Sequence, residues 1–389
     1  MPFWRQASRL VLTDAVERIP LSAPIIGAEE TKYINDCLAT HWISQGRYVR
    51  EFEDEFSSYC GAEYGVTASN CTAALHMAGL ALGIGEGDEV LVSSSTNMAS
   101  AFSMYYCGAT PVPVDVERDT WQMNPAEIEP RVTERTKAIV VVHLFGHPVD
   151  MDPVLEIAKR HGLAVIEDCA EAHGAEYKGL RVGAIGDIGC FSFYSNKIIT
   201  CGEGGMAVTN SGVLAERLRD FGNFCYGKKQ KFQHENVGFN YRLPNVSAAM
   251  GLGQFRRIGT ILARKREIRD MYNERLRGVP GLRLPVERPW AKSVLWMFNA
   301  SLDRELGISL VDFMAGMERH SIEVREAFVP INRQKVFLER GWVREDECPV
   351  ANEISDTGFY LPSGSALTRQ QIDRVCEALR DVLKASSAW

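Results

Sequence analysis

No stretch of this 389-residue sequence reaches the roughly 18 uninterrupted apolar residues that a membrane-crossing helix needs. The opening, MPFWRQASRLVLTDAVERIP, carries no apolar run of signal-peptide length either. Positive charge is in deficit: 43 Lys and Arg stand against 50 Asp and Glu, a formal net charge of -7. That balance argues against a broad nucleic-acid footprint and leaves room for a local basic pocket. The ten cysteines are scattered singly with no CxxC pair, so free buried thiols are expected and a disulfide framework is not. Internal repeats and low-complexity tracts are missing as well. At 46% hydrophobic and 24% charged, the composition is that of a globular protein with ample core material. The expectation is a soluble, cytoplasmic chain with no nucleic-acid or membrane partner. Its length favours more than one domain.

What the sequence does contain is a rhythm. From about residue 64 to 210, short β-branched runs alternate with helical stretches. Glu89-Val90-Leu91-Val92, Pro111-Val112-Pro113-Val114 and Ala138 to His143 read as strands. The second belongs at an edge, because proline cannot donate to a ladder. Pro153 to Gly162 reads as a helix with proline at its start and glycine at its end, and Ala164-Val165-Ile166 as the next strand. This βαβα order implies an α/β fold with a mostly parallel central sheet between helices. Val246 to Arg277 reads as one long helical region, followed by the Pro/Gly-rich GVPGLRLPVERPW and a remainder that mixes strands with a final amphipathic helix. The expected division is an N-terminal segment (1–40), a large domain (41–255) and a smaller α+β domain (256–389). The helix around Glu29 to Thr40 is expected to join the C-terminal part in space.

Ligands of open α/β sheets lie beyond the carboxyl ends of the strands. Asp168 closes AVIED, His143 closes AIVVVH, and Ser94, Ser95, Thr96 and Asn97 follow EVLV, so all are expected at one crevice. SNCTAALHMAGLAL offers capping residues at Ser69, Asn70 and Thr72 ahead of an apolar face of Leu75, Ala78 and Leu82. Unpaired N–H groups at such a helix start make an anion site. The helix dipole alone contributes only about 0.3–1 kcal/mol, so firm phosphate binding needs further donors such as the Thr72 hydroxyl. A plain capped helix would look the same. Lys197, in CFSFYSNKIITCGEGGMAV, has Phe191, Phe193, Tyr194, Ile198 and Ile199 for neighbours. A lysine desolvated in such company loses basicity and becomes a nucleophile toward a carbonyl, whereas one that snorkels to solvent does not. A phosphate cradle, a carbonyl-binding lysine and an acid able to hold a pyridinium proton are the three groups that pyridoxal 5'-phosphate (PLP) requires.

The segments WISQG, SNCTAALH, ALGIGEGDEV, YCGATPVPVDV, RTKAIVVVHLFGHPVDMD, VIEDCAEAHGAEYKG, GDIGCFSFYSNKIITCGEGGM and VGFNYRLPNVSAA occur in this order. Together they resemble the sugar aminotransferases of the DegT/DnrJ/EryC1/StrS family, from about residue 19 to the C-terminal helix. The resemblance implies fold type I and PLP as cofactor. It implies that Lys197 anchors the cofactor covalently and later moves a proton, and that Asp168 keeps the pyridine nitrogen protonated. Glu171 would face the ring's 3'-oxygen, with a shared proton or a displaced side chain. Ser192, Thr72 and the backbone at Cys71 would hold the phosphate. Asn240, in GFNYR, would reach the phosphate of a second subunit, giving a homodimer with shared active sites. Three positions depart from the family pattern: Cys71 stands where glycine is usual, Asn97 where an aromatic ring covers the pyridine, and Asn332 where histidine is frequent. The last bears on sugar contacts.

A retained lysine favours transamination over the dehydration that some relatives perform with histidine. The resemblance supplies L-glutamate as amino donor and a nucleotide-diphosphate keto-sugar as acceptor. NKIITCGEGGM is similar to the corresponding segment of enzymes that make GDP-perosamine from GDP-4-keto-6-deoxymannose, which implies amination at C4. UDP- or dTDP-linked sugars, or a non-catalytic PLP-binding regulatory role, are the alternatives. A dinucleotide-dependent oxidoreductase is disfavoured, because GIGEG (Gly83 to Gly87) precedes the strand EVLV instead of following one. No metal site is expected from His143, His147, Asp150 and Asp152. Gly146 and Pro148 break any helix that would align the two histidines, and HLFGHPVDMD is expected to border the crevice as a loop.

Overall fold

In the computed structural model, which describes residues 17–227, 229–234 and 236–386, the apolar runs become strands covered on both faces. Through residue 209 the strands are β1 (Tyr64–Ala68), β2 (Glu89–Ser93), β3 (Thr110–Val114), β4 (Thr136–Val142), β5 (Ala164–Asp168), β6 (Glu176–Tyr177), β7 (Leu180–Arg181), β8 (Ile188–Ser192) and β9 (Gly205–Thr209). Seven of them form one sheet in the order β1-β9-β8-β5-β4-β2-β3, in which β9 alone runs against its neighbours. The proline-containing β3 lies at the edge, as expected. β4 explains why its sequence is continuously apolar. Ala138 and Val140 face one core, Ile139 and Val141 the other, so alternate side chains are buried on opposite sides.

The first eight helices are α1 (Ala28–Ala39), α2 (Arg47–Cys60), α3 (Cys71–Ala81), α4 (Ala99–Tyr106), α5 (Met151–His161), α6 (Gly212–Gly222), α7 (Asn245–Arg256) and α8 (Ile258–Leu276). Beyond them come β10 (Leu282–Arg283), β11 (Ala291–Lys292), β12 (Phe298–Leu302), β13 (Arg325–Glu326) and β14 (Gly358–Leu361). β10-β12-β14-β13 make an antiparallel sheet, while β11 pairs with β6, which pairs with β7. A separate core gathers Phe298, Phe313, Phe359, Ile372 and Leu379 around Ile268 and Tyr272 of α8.

Several expectations need correction. The region from Val246 to Arg277 is two helices, broken at Arg257: α7 packs on α1 and α2, and α8 starts in the same core through Ile258 and reaches the second core only through Ile268, Met271, Tyr272 and Leu276. α1 lies along α7, where Cys37 Sγ contacts the Asn245 carbonyl and Glu30 takes hydrogen bonds from Gln254 and Arg257. It is the chain ahead of α1 that reaches the C-terminal part. Ile19 bridges to Ile322, and Ser363 N–H donates to the Leu21 carbonyl at 2.8 Å. Residues 1–16 of the expected N-terminal segment lie outside the described residues. α3 is buried nearly all round and presents no single apolar face, and Leu82 is its C-cap. α5 begins at Met151, two residues before the proline, and ends on Gly162 at φ 65°. All ten cysteines are free thiols, nine of them buried. Among the described residues, no helix is long and apolar enough to cross a membrane.

Candidate active site

β2, β4, β5 and β8 end on the same side of the sheet, and the start of α3 opens there too. A cavity of about 350 Å³ lies at these ends, bounded by Cys71, Thr72, Thr96, Asn97, Asp168, Glu171, Ser192 and Lys197. Trp296, Arg325, Phe328 and Tyr360 close it from the second sheet.

Lys197 follows β8 in a loop that folds back on itself. Cys201 N–H and Thr200 Oγ both donate to the Phe193 carbonyl, and Gly202 turns at φ +85°. The Lys197 side chain is 12% exposed; its Nζ lies 3.3 Å from Glu171 Oε1 and 3.9 Å from the centroid of the Trp296 ring. Of the sequence neighbours, Phe191, Phe193, Ile198 and Ile199 are core residues, while Tyr194 is exposed. The ring over the ammonium is therefore a distant tryptophan. Further along the loop, Gly205 cannot carry a side chain. A Cβ there would meet the Asn70 carbonyl and lie 2.7 Å from Cys71 N, so β9 passes directly under the start of α3.

That helix start is capped by Asn70, whose Oδ1 accepts from Ala73 N at 2.8 Å, leaving the earlier N–H groups of the first turn beside Thr72 and Ser192. Cys71 belongs to the core beneath α3, and burial pushes its thiol well above the ordinary value, so it stays neutral. Asn97 is exposed and uses its Oδ1 on Ala99 N at 3.0 Å, capping its own turn.

Two buried carboxylates face this space. Glu171 accepts from Phe145 N at 2.9 Å and from Lys197. Phe145 holds a left-handed φ of 53° to aim that N–H, a conformation costly for a bulky residue. Burial raises the Glu171 pKa, partly offset by Lys197, which is the direction a shared proton requires. Asp168 is also raised by burial, and the hydroxyl of Ser100 on α4 counters this by donating to Oδ2 at 2.6 Å. Ser100 Oγ in turn meets Thr96 Oγ at 2.9 Å, and Asp168 Oδ1 accepts from Ala170 N at 3.1 Å. Removing the Ser100 hydroxyl takes away the strongest contact that favours the ionised acid. Ser100→Ala is therefore expected to move the acid limb of kcat/KM upward in pH and to cost roughly tenfold in rate, the scale of a hydrogen bond to a charged group. An acid limb that stays in place would count against this role.

Not every expected residue arrives. His143 is fully buried behind the crevice. Its Nδ1 accepts from Val149 N at 3.0 Å and its Nε2 contacts Glu167 at 3.1 Å. Cys169 lies close to this pair, but Glu167 already accepts from Gly183, Ile185 and Gly186 N–H. Ser94 donates to Asn332 Oδ1 at 2.9 Å, away from the cavity. Asn332 itself is a buried knot whose amide donates to the Glu345 carbonyl and Asn352 Oδ1, and it does not line the cavity. Asp150 accepts from the Tyr177 hydroxyl and Asp152 pairs with Lys178, apart from the two histidines. Leu144, at the start of the HLFGHPVDMD loop, does border the crevice. Asn240 is exposed and bridges Asn223, outside the cavity of its own chain. Ser100, Trp296, Arg325, Phe328 and Tyr360 were not foreseen from sequence. Only Ser100 carried a signal, lying within one turn of the strand-end cluster.

An amine, a buried carboxylate and a helix start approached closely by Gly205 of β9 fit PLP by geometry and by donor chemistry. The profile of the DegT/DnrJ/EryC1/StrS aminotransferase family matches residues 24–380. The chain is 40% identical over 369 residues to the GDP-perosamine synthase of Escherichia coli O157:H7, covering 93% of this chain and 98% of that one. Against the GDP-perosamine synthase of Caulobacter vibrioides the figures are 41% over 369 residues, 94% and 98%. Among solved structures, S. venezuelae DesV superposes with a TM-score of 0.86 at 35% identity, covering 93% of this chain and 99% of that one. Spr1654 of Streptococcus pneumoniae in its PLP form gives 0.90 at 25% identity, with coverage of 95% and 100%.

Proposed function

Because the chain belongs to the DegT/DnrJ/EryC1/StrS aminotransferase family, a family of PLP-dependent nucleotide-sugar enzymes of fold type I, we propose that it moves the amino group of L-glutamate to C4 of GDP-4-keto-6-deoxymannose, yielding GDP-perosamine. The observation that carries the reaction class is Lys197 Nζ, 3.3 Å from Glu171 and under Trp296, in one cavity with Asp168 and the start of α3. The choice of sugar rests on 40% and 41% identity to two GDP-perosamine synthases.

When bound, PLP supplies an aldehyde that condenses with amines and an electron-poor ring that accepts the electrons left when a proton leaves carbon. The chain's own groups do the rest. The first-turn N–H groups of α3, with the hydroxyls of Thr72 and Ser192, hold the phosphate. Asp168 would keep a proton on the pyridine nitrogen, and Glu171 would serve the 3'-oxygen. Lys197 would hold the cofactor and, once free of it, would move a proton between the amino-bearing carbon and C4'. Arg325 offers a cation at the cavity mouth for a carboxylate or a diphosphate. Asn240 serves the phosphate of a neighbouring subunit in a homodimer, for which the exposed Trp42, Ile43, Phe232 and Val237 supply apolar surface.

The test is the visible absorbance of PLP-loaded protein on adding L-glutamate, followed by keto-sugars linked to GDP, UDP and dTDP. Loss of the band with glutamate and its return with the GDP sugar is the expected result. Return only with a UDP or dTDP sugar would move the substrate and keep the chemistry. A band that ignores every donor and acceptor would favour a non-catalytic role.

A further inference from the structure

Lys265, on α8, is only 3% exposed and, among the described residues, has no carboxylate partner. Its ammonium donates to two main-chain carbonyls, those of Trp296 at 2.7 Å and Ser363 at 2.6 Å. The other charged residues around the small cavity it borders are Lys197, Arg257 and Arg264, all cationic. Burial depresses its pKa to about 7. An ammonium removed from water with neutral partners alone is costly, so its two contacts are informative.

Both carbonyls flank the end of the second sheet that faces the active cavity. Trp296 precedes β12 and Ser363 follows β14, where Phe298 is paired with Leu361. Ser363 Oγ also accepts from Phe298 N at 2.8 Å. Trp296 is fixed at its other end as well: its indole N–H donates at 3.0 Å to the carbonyl of Asn196, the residue before Lys197. The ring then lies over Lys197 Nζ.

We propose that Lys265 is a positioning residue for the transamination: by tying the Trp296 and Ser363 carbonyls together it sets the indole over the Lys197 nitrogen. The inference rests on the reading of Lys197 as the cofactor lysine. The face of an indole favours positive charge, so in the PLP-loaded protein a correctly placed Trp296 would favour the protonated form of the visible band, and a displaced ring would weaken that preference.

The experiment is a pH titration of the visible band in PLP-loaded wild type, Lys265→Met, Lys265→Arg and Trp296→Leu. Methionine keeps the volume and donates nothing. Lys265→Met and Trp296→Leu are each expected to lower the midpoint by about one pH unit, the size of a partly desolvated cation–π contact. The double variant should show no further shift, because both changes act through one contact. Lys265→Arg, which still donates to both carbonyls, should return most of the shift. A midpoint that is unmoved or raised in Lys265→Met, with only the melting temperature lowered, would make Lys265 structural and overturn the proposal. If Lys265→Met does not fold, Lys265→Gln is titrated in its place, and an unmoved midpoint is equally decisive. A wild type that acquires no band at all defeats the reading of Lys197 instead.

Discussion

Lys197→Ala is expected to lower transamination by roughly 10⁴-fold or more, since general acid–base catalysis alone contributes about 10²–10⁴ and the covalent anchor is lost with it. The fold should survive. Among the described residues the ammonium contacts Glu171 and Trp296, and the turn around it is closed by a main-chain bond to Phe193 that does not involve the side chain. Glu171 still accepts from Phe145 N, and its raised pKa lets it take a proton once the cation is gone. The measurement is steady-state turnover together with the visible spectrum and the melting temperature. A folded Lys197→Ala protein with near-normal rates would remove the lysine from the mechanism.

Asp168→Asn should cost about 10²–10³-fold in kcat, the scale seen when one preorganised electrostatic group is removed from a site. Asparagine matches the volume and cannot carry the charge that the proposed role of holding a proton on the pyridine nitrogen requires. The structure adds a second consequence. Asp168 accepts at both oxygens, from Ser100 and from Ala170 N–H, whereas asparagine has a single oxygen. The new N–H₂ must then face either Ala170 N–H or the Ser100 hydroxyl, which can turn to accept from it, for a stability loss of about 1 kcal/mol. A modest fall in melting temperature beside a large fall in kcat is the expected pair. Full activity in a PLP-saturated Asp168→Asn protein would count against the pyridinium role.

The sequence alone determined the elements whose pattern is local. A continuous apolar run such as AIVVV means a strand buried on both faces, and proline in PVPV means an edge. SNCT at a helix start and Asp168 at a strand end follow from capping and from strand direction. Lys197 was marked by its apolar neighbours, although all of them but the exposed Tyr194 turned out to belong to the core.

Tertiary structure alone decided what meets across long stretches of chain. Trp296 reaches Asn196 across 100 residues, and Lys265 reaches Ser363 across 98. His143 and Asn332 sit at plausible ends of their segments, yet hydrogen bonds to Val149 N–H, Glu167, Ser94 and Asn352 turn them into buried supports. One helix, α8, serves two cores in the same way, through Ile258 at its start and Ile268, Tyr272 and Leu276 further on. Periodicities of 2 and 3.6 residues report which way a side chain points from its own backbone. Which group it then touches is set by sheet register and by the path of the connecting loops, and neither is written in any short window of residues.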